Sequence, residues 1–78
     1  MVDFLRYIIG ELIGPDKDFS VDEEVIGENV HLTVLLNSED MGRVIGRQGR
    51  TAKSLRTLLK AIATKNNKTV RLDIHERQ

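Results

Sequence analysis

Three glycines and five basic residues fall within fifteen positions of this chain, in the stretch GRVIGRQGRTAKSLR that begins at Gly42. Gly46 and Gly49 bracket Arg47 and Gln48, and a glycine at each end allows a sharp turn with an uncovered main chain. The turn leads into a predicted helix, whose first free N–H groups attract anionic oxygen. A plain helix–helix turn would explain one glycine but not the cations around it. The chemistry that this pattern predicts is the binding of phosphate oxygens.

The cations that follow the turn lie on one flank of the predicted helix. With Arg50 at zero, Lys53, Arg56 and Lys60 fall between about 240° and 300°, whereas the apolar residues fall between about 80° and 220°. No acid occurs from Arg50 to Lys68, and a merely solvated helix face usually mixes both signs. The flank is therefore suited to a phosphate backbone.

The formal net charge of zero hides a strong segregation of charge. Residues 1–40 hold 10 acids and 2 bases, and residues 41–78 hold 10 bases and 2 acids, so the two halves carry −8 and +8. A basic half can concentrate a polyanion even in a neutral molecule, which favours an anionic partner. Mutual attraction of the two halves is the alternative.

Periodicity predicts the elements of the first half. Residues 3–13 predict an amphipathic helix, which Gly14-Pro15 ends through a left-handed cap. Two alternating segments then predict strands joined by a two-residue type II′ turn at Gly27-Glu28. This register pairs Val25 with Val30, Val21 with Val34 and Phe19 with Leu36, and it leaves only Glu23 opposite an apolar residue, Leu32.

The second half is predicted to hold two helices and a strand. Ser38 is a suitable N-cap for a short helix from about Glu39 to Ile45 that ends at Gly46. A longer helix is indicated from Arg50 to about Lys65, with Asn66-Asn67 as its stop. The segment TVRLDIH predicts a third strand.

The resulting order is α-β-β-α-α-β within a single domain, residues 1–78. A helical crossover between the second and third strands permits a parallel pair. We therefore expect a two-layer α+β fold, a three-stranded mixed sheet covered on one face by three helices.

Composition argues against several other classes of protein. The chain has no cysteine, and His31 and His75 cannot alone complete a zinc shell, so no metal and no cofactor are predicted. The stretch fails as a nucleotide-binding P-loop because Arg50 stands where lysine should be and a helix, not a strand, precedes it. We expect no catalytic residue. No run approaches the roughly 18 apolar residues of a membrane span, so a soluble cytoplasmic protein is expected.

The segment VIGRQGRTAKSLR, from Val44 to Arg56, resembles the helix-GxxG-helix signature of KH domains. Its α-β-β-α-α-β setting is similar to the type II, bacterial-style KH arrangement and not to type I, which begins with a strand. In length and in EDMGRVIGRQGRTAKSLRTLLKAIA the chain resembles the bacterial single-KH RNA-binding proteins of the KhpA (YlqC) family. This resemblance extends over essentially the whole chain.

The resemblance implies binding of single-stranded RNA, with DNA not separated from it by sequence, and a role as a post-transcriptional regulator or RNA chaperone. In such domains the GxxG loop clamps the backbone of about four nucleotides. By position, Gly46, Arg47, Gln48 and Gly49 would hold phosphates, Arg43, Arg50 and Lys53 would extend that contact, and Val44, Ile45, Thr51 and Leu55 would line the groove beside it. Ile45 and Leu55 could equally be core residues.

The resemblance also implies association with other KH proteins, as a homodimer and as a heteromer with a larger KhpB/EloR-type partner. Composition and periodicity demonstrate neither. The alternative function is therefore a protein–protein adaptor that acts through a KhpB-type partner and binds little RNA itself. One departure from strong RNA binders is that Phe4, Tyr7 and Phe19 all lie outside the proposed site, so we expect modest affinity.

Overall fold

The computed structural model describes residues 1–77 and shows the predicted order α-β-β-α-α-β. A one-turn 3₁₀ helix at Ser38–Asp40 precedes the second α-helix, and a tight turn at Arg47–Gly49 precedes the third. The elements are α1 Val2–Ile13, β1 Phe19–Ile26, β2 Asn29–Leu36, α2 Met41–Ile45, α3 Arg50–Lys65 and β3 Thr69–Glu76.

The three strands form one mixed sheet in the order β1-β2-β3. β1 and β2 are antiparallel, and every predicted pair of the hairpin is present. Gly27 has a φ of 60°, whereas Glu28 has no positive φ, as a type II′ turn requires. β3 pairs with β2 in parallel after the crossover through α2 and α3. β1 and β3 are therefore the two edges of the sheet.

The core lies between one face of the sheet and the three helices. Alternate residues of β2 are buried there, namely Val30, Leu32, Val34 and Leu36. They form one cluster with residues from every helix: Leu5, Ile9 and Ile13 of α1, Val44 of α2, and Leu55 and Leu59 of α3. Because the cluster is continuous, the helices share one face of the sheet, as predicted. No helix within residues 1–77 is long and apolar enough to cross a membrane.

Two predicted helix ends were wrong in detail. Ser38 is not the N-cap, because a 3₁₀ turn begins at that residue; extended Asn37 precedes it, and no side chain caps the turn. α2 consequently begins only at Met41. Gly14 ends α1 with a φ of 103° and a ψ of 159°, a positive φ but not a left-handed helical cap. The stop after α3 is present, since Asn67 has a φ of 58°.

The opposite face of the sheet carries polar side chains. His31 Nε2 lies 2.7 Å from Asp73 Oδ2, and Arg71 Nε lies 3.1 Å from the same oxygen. The hydrogen bond from His31 holds the pKa of Asp73 below its ordinary value of 3.8; burial opposes this shift, and the charge and hydrogen bond of Arg71 reinforce it. These contacts tie β2 to β3 across the open face.

Candidate nucleic-acid interface

The loop between α2 and α3 has an unusual backbone. Three of its four residues, Gly46, Gln48 and Gly49, have positive φ values of 77°, 56° and 75°. Gly46 combines its φ with a ψ of 174°, a region that is essentially restricted to glycine. Gly49 and Gln48 lie in the left-handed helical region, which Gln48 enters with a side chain. This sequence of conformations reverses the chain within one turn.

The first glycine also has no room for a side chain. A Cβ on Gly46 would lie 2.8 Å from the Cβ and 2.9 Å from the backbone nitrogen of Thr51. Nothing lies within 4 Å of a Cβ built on Gly49. A side chain at position 46 would therefore clash with Thr51, whereas at position 49 only the left-handed backbone conformation favours glycine.

The loop opens onto the N-terminus of a long helix. α3 is 16 residues long, and no side chain caps its first turn. Its first N–H groups and the positive end of its dipole are thus unmatched by an acidic or hydroxyl cap. Gly49 N donates a 3.2 Å hydrogen bond to Gly46 O inside the loop, which keeps the turn tight. The arrangement suits a phosphate oxygen.

The predicted basic residues surround this turn and are free to bind an anion. Arg43, Arg47, Arg50 and Lys53 are all exposed. Within residues 1–77 none of them forms an ion pair, and the one side-chain contact among them is a long one, from Arg50 Nη2 to Gln48 Oε1 at 3.4 Å. Their charges are therefore not neutralised by the protein itself.

The predicted groove-side residues differ in exposure. Val44 is 0% exposed and belongs to the core, so its side chain offers no surface for a base. Ile45 and Thr51 are half-buried, and Thr51 packs against Gly46. Leu55, which could have been either core or groove, is buried in the core.

A groove runs along α3 and the free edge of β3. Its central part encloses about 350 Å³ and is lined by Arg56, Leu59, Lys60 and residues 70–73. A second part of about 250 Å³ continues toward the end of α3 and shares Lys60 and Val70 with the first. We call these two parts together the α3–β3 groove. Half-buried Val70 contributes apolar surface to its wall and cations stand beside it, which suits bases next to a phosphate backbone.

Sequence reasoning identified one wall of this groove and missed the other. Arg56 and Lys60 were on the predicted cationic flank of α3, but Val70, Arg71 and Leu72 of β3 and Lys68 before it were not predicted as site residues. Periodicity shows which residues of a strand face the core; it does not show which helix flank lies beside the strand. The parallel crossover, which was predicted, was the available signal.

One acidic side chain, Asp73, lines the α3–β3 groove, where it is paired with His31 and Arg71, and a separate acidic cluster lies away from the interface. A third cavity of about 320 Å³, on the open face of the sheet, is lined by Asp22, Glu23, Glu24, His31 and Thr33. These acids belong to β1, the sheet edge opposite β3. In residues 1–77 no three His, Cys, Asp or Glu residues are grouped so that they could hold a metal ion. The two ends of the sheet thus carry opposite charge.

Comparisons with known proteins bear on this arrangement. A family model described as KhpA/KhpB, KH domain, matches residues 2–74. The RNA-binding protein KhpA of Halalkalibacterium halodurans is 42% identical over 74 residues, which cover 95% of this chain and 97% of that protein. The proteins of the same name from Listeria monocytogenes and Clostridium perfringens are 38% and 40% identical, over 97% and 95% of this chain and 100% and 99% of their own lengths. No solved structure matches the chain.

Proposed function

The chain belongs to the KhpA/KhpB family of KH domains, and from this membership we propose that it binds single-stranded RNA through the loop Gly46–Gly49. The family is not one of enzymes. The loop geometry carries the proposal: three positive φ values place an uncapped helix start beside unpaired basic side chains. Free N–H groups and cations together bind phosphate without reading base sequence.

The path of the strand follows from the positions of the loop and groove. Phosphates of about four nucleotides lie across the loop, where Arg43, Arg47, Arg50 and Lys53 supply charge. The bases turn toward the α3–β3 groove, where half-buried Val70 supplies apolar contact.

Binding should be modest and sensitive to salt. None of the three aromatic residues lines the α3–β3 groove, so no ring offers a stacking platform there. With about three phosphates neutralised, log affinity should fall with log salt at a slope of about −2. Readily reversed binding of this kind suits an RNA chaperone or a regulator, which must release its strand.

Titration of the protein with hexauridine RNA tests the proposal. Amide signals of residues 46–53 should shift during an NMR titration at low salt, and fluorescence anisotropy should give the slope stated above. A DNA hexamer of the same base composition reports whether the 2′-hydroxyl matters. Shifts confined to β1 and the open sheet face, with the loop signals unmoved, would contradict the proposal.

A second candidate function, adaptor activity through a second KH chain, is favoured by one exposed side chain. Leu58 of α3 is 49% exposed and lies on the helix flank opposite Arg56 and Lys60, next to half-buried Ile62. Pairing of two copies, or of this chain with a KhpB-type protein, through that flank would leave the α3–β3 groove open.

Replacing Leu58 with aspartate should convert a dimer to a monomer, because a charge would enter an apolar contact. Light scattering of parent and variant measures this directly, and Thr57→Asp, on an exposed part of α3 outside that flank, is the control that adds the same single negative charge. A parent that stays monomeric at every concentration would contradict self-pairing.

A further inference from the structure

Arg56 occupies a defined position at the free edge of β3. Its Nε and Nη2 both donate to the carbonyl oxygen of Leu72, at 3.3 and 3.2 Å. Two hydrogen bonds from one planar group to one acceptor restrict the orientation of the guanidinium. Arg56 is thus held along the strand in the central part of the α3–β3 groove.

The contact leaves guanidinium donors free in the groove, while Asp73, the carboxylate that also lines this cavity, is paired with His31 and Arg71. A guanidinium has five N–H donors and cannot accept. Since one from Nε and one from Nη2 are engaged, the edge formed by Nη1 and Nη2 remains open to a ligand. The Leu72 oxygen, which would otherwise be the acceptor on the strand edge, is already occupied by Arg56.

A forked donor of this kind distinguishes between nucleobases. Guanine presents two adjacent acceptors, O6 and N7, and pairing of arginine with these atoms is the commonest specific contact to a base. Adenine presents N7 next to an amino group that is itself a donor, so one of its two positions would face a donor. A base that lies against half-buried Val70 can present its edge to Arg56, since both line the same cavity.

We propose that Arg56 makes the α3–β3 groove selective for guanine over adenine. This inference rests on the proposed RNA-binding function and names the base that the groove prefers. Lys60 lines both parts of the same groove. Its ammonium group is a compact charge and lacks the paired donors of a guanidinium, so it adds affinity for any strand.

Hexauridine RNAs in which one central base is replaced by guanine, inosine, 7-deazaguanine, adenine or cytosine test the proposal by fluorescence anisotropy at low salt. Guanine and inosine, which share O6 and N7, should bind about tenfold more tightly than adenine. The 7-deazaguanine strand lacks the N7 acceptor and should lose most of that advantage. Tighter binding of cytosine than of guanine would overturn the assignment to guanine.

Two variants separate selectivity from charge and from stability. Arg56→Lys keeps the charge but loses the fork, so the ratio of guanine to adenine affinity should fall to about one. Lys60→Gln removes a charge, so it should weaken every strand and keep the ratio. A role limited to supporting β3 would lower the thermal midpoint of Arg56→Lys and leave the ratio unchanged, which would overturn the proposal.

Failure of this inference can be told apart from failure of the proposed function. If the hexamers bind and shift the loop signals but show no preference for guanine, only the selectivity is wrong. If no hexamer binds at low salt, both are wrong.

Discussion

Replacing Arg47 and Gln48 by aspartates should weaken RNA binding by more than about tenfold, because charge-assisted contacts to phosphate are lost and two carboxylates repel the strand. The change places negative charge on the loop that precedes the uncapped start of α3, where the proposed phosphates lie. Anisotropy with hexauridine RNA measures the loss.

The double variant should remain folded. Both side chains are exposed, and among residues 1–77 the substitutions remove one side-chain hydrogen bond, the 3.4 Å contact between Arg50 and Gln48. Gln48 has a φ of 56°, a conformation that aspartate tolerates better than most residues. Circular dichroism and the thermal midpoint should therefore match those of the parent chain.

A matched control carries the same change in charge at another surface. Arg6 and Tyr7 are also consecutive and exposed, and they lie on α1, outside the loop and the groove. Arg6→Asp with Tyr7→Asp should therefore retain most of the binding. Equal losses in the two double variants would mean that only total charge matters and that the loop is not the site.

Gly46→Ala should lower the free energy of unfolding by roughly 3 kcal/mol or more, a large share of the stability of so small a domain. The backbone of Gly46, with φ 77° and ψ 174°, is strained for any residue with a Cβ. The added methyl group would also overlap the backbone nitrogen and the Cβ of Thr51. Relief requires movement of the first turn of α3, which would also disturb the proposed phosphate site.

Alanine substitutions at two other glycines provide reference values for this loss of stability. A Cβ on Gly49 meets no neighbour within 4 Å. Gly49→Ala should therefore lower the free energy of unfolding by about 1 kcal/mol, because alanine is disfavoured in the left-handed conformation. Gly42→Ala lies inside α2, also with free space around it, and should stabilise the chain by up to about 1 kcal/mol. Urea unfolding of the three variants checks the order. A Gly46→Ala variant no less stable than Gly49→Ala would show that the close approach to Thr51 is unimportant.

Most of the fold was predictable because local patterns specify it redundantly. The register of β1 on β2 follows from counting outward from Gly27-Glu28, and a shift by one residue would move Val21 and Val34 off the core face. α3 has the predicted bounds because its apolar stripe and the stop at Asn67 agree. Ser38 failed as a cap because a 3₁₀ turn, which has no distinct periodicity in so short a segment, competes with the α-helix there.

The candidate site was predictable only where it is local in sequence. The glycines and cations of the loop are neighbours along the chain, so their chemistry could be seen directly. The bond between Arg56 and Leu72 joins residues 16 positions apart and depends on how α3 lies against β3. The role of Val44 was similarly hidden, since the same apolar residue can face a ligand or the core.

Acidic β1 and basic α3 with its loop lie toward opposite edges of the sheet, so this molecule of zero net charge possesses an electric dipole moment. An approaching polyanion exerts a torque on such a dipole and turns the basic end toward itself before contact. The rate of productive encounter should therefore depend on ionic strength even though the net charge of the protein is zero, because added ions shorten the range of the orienting field.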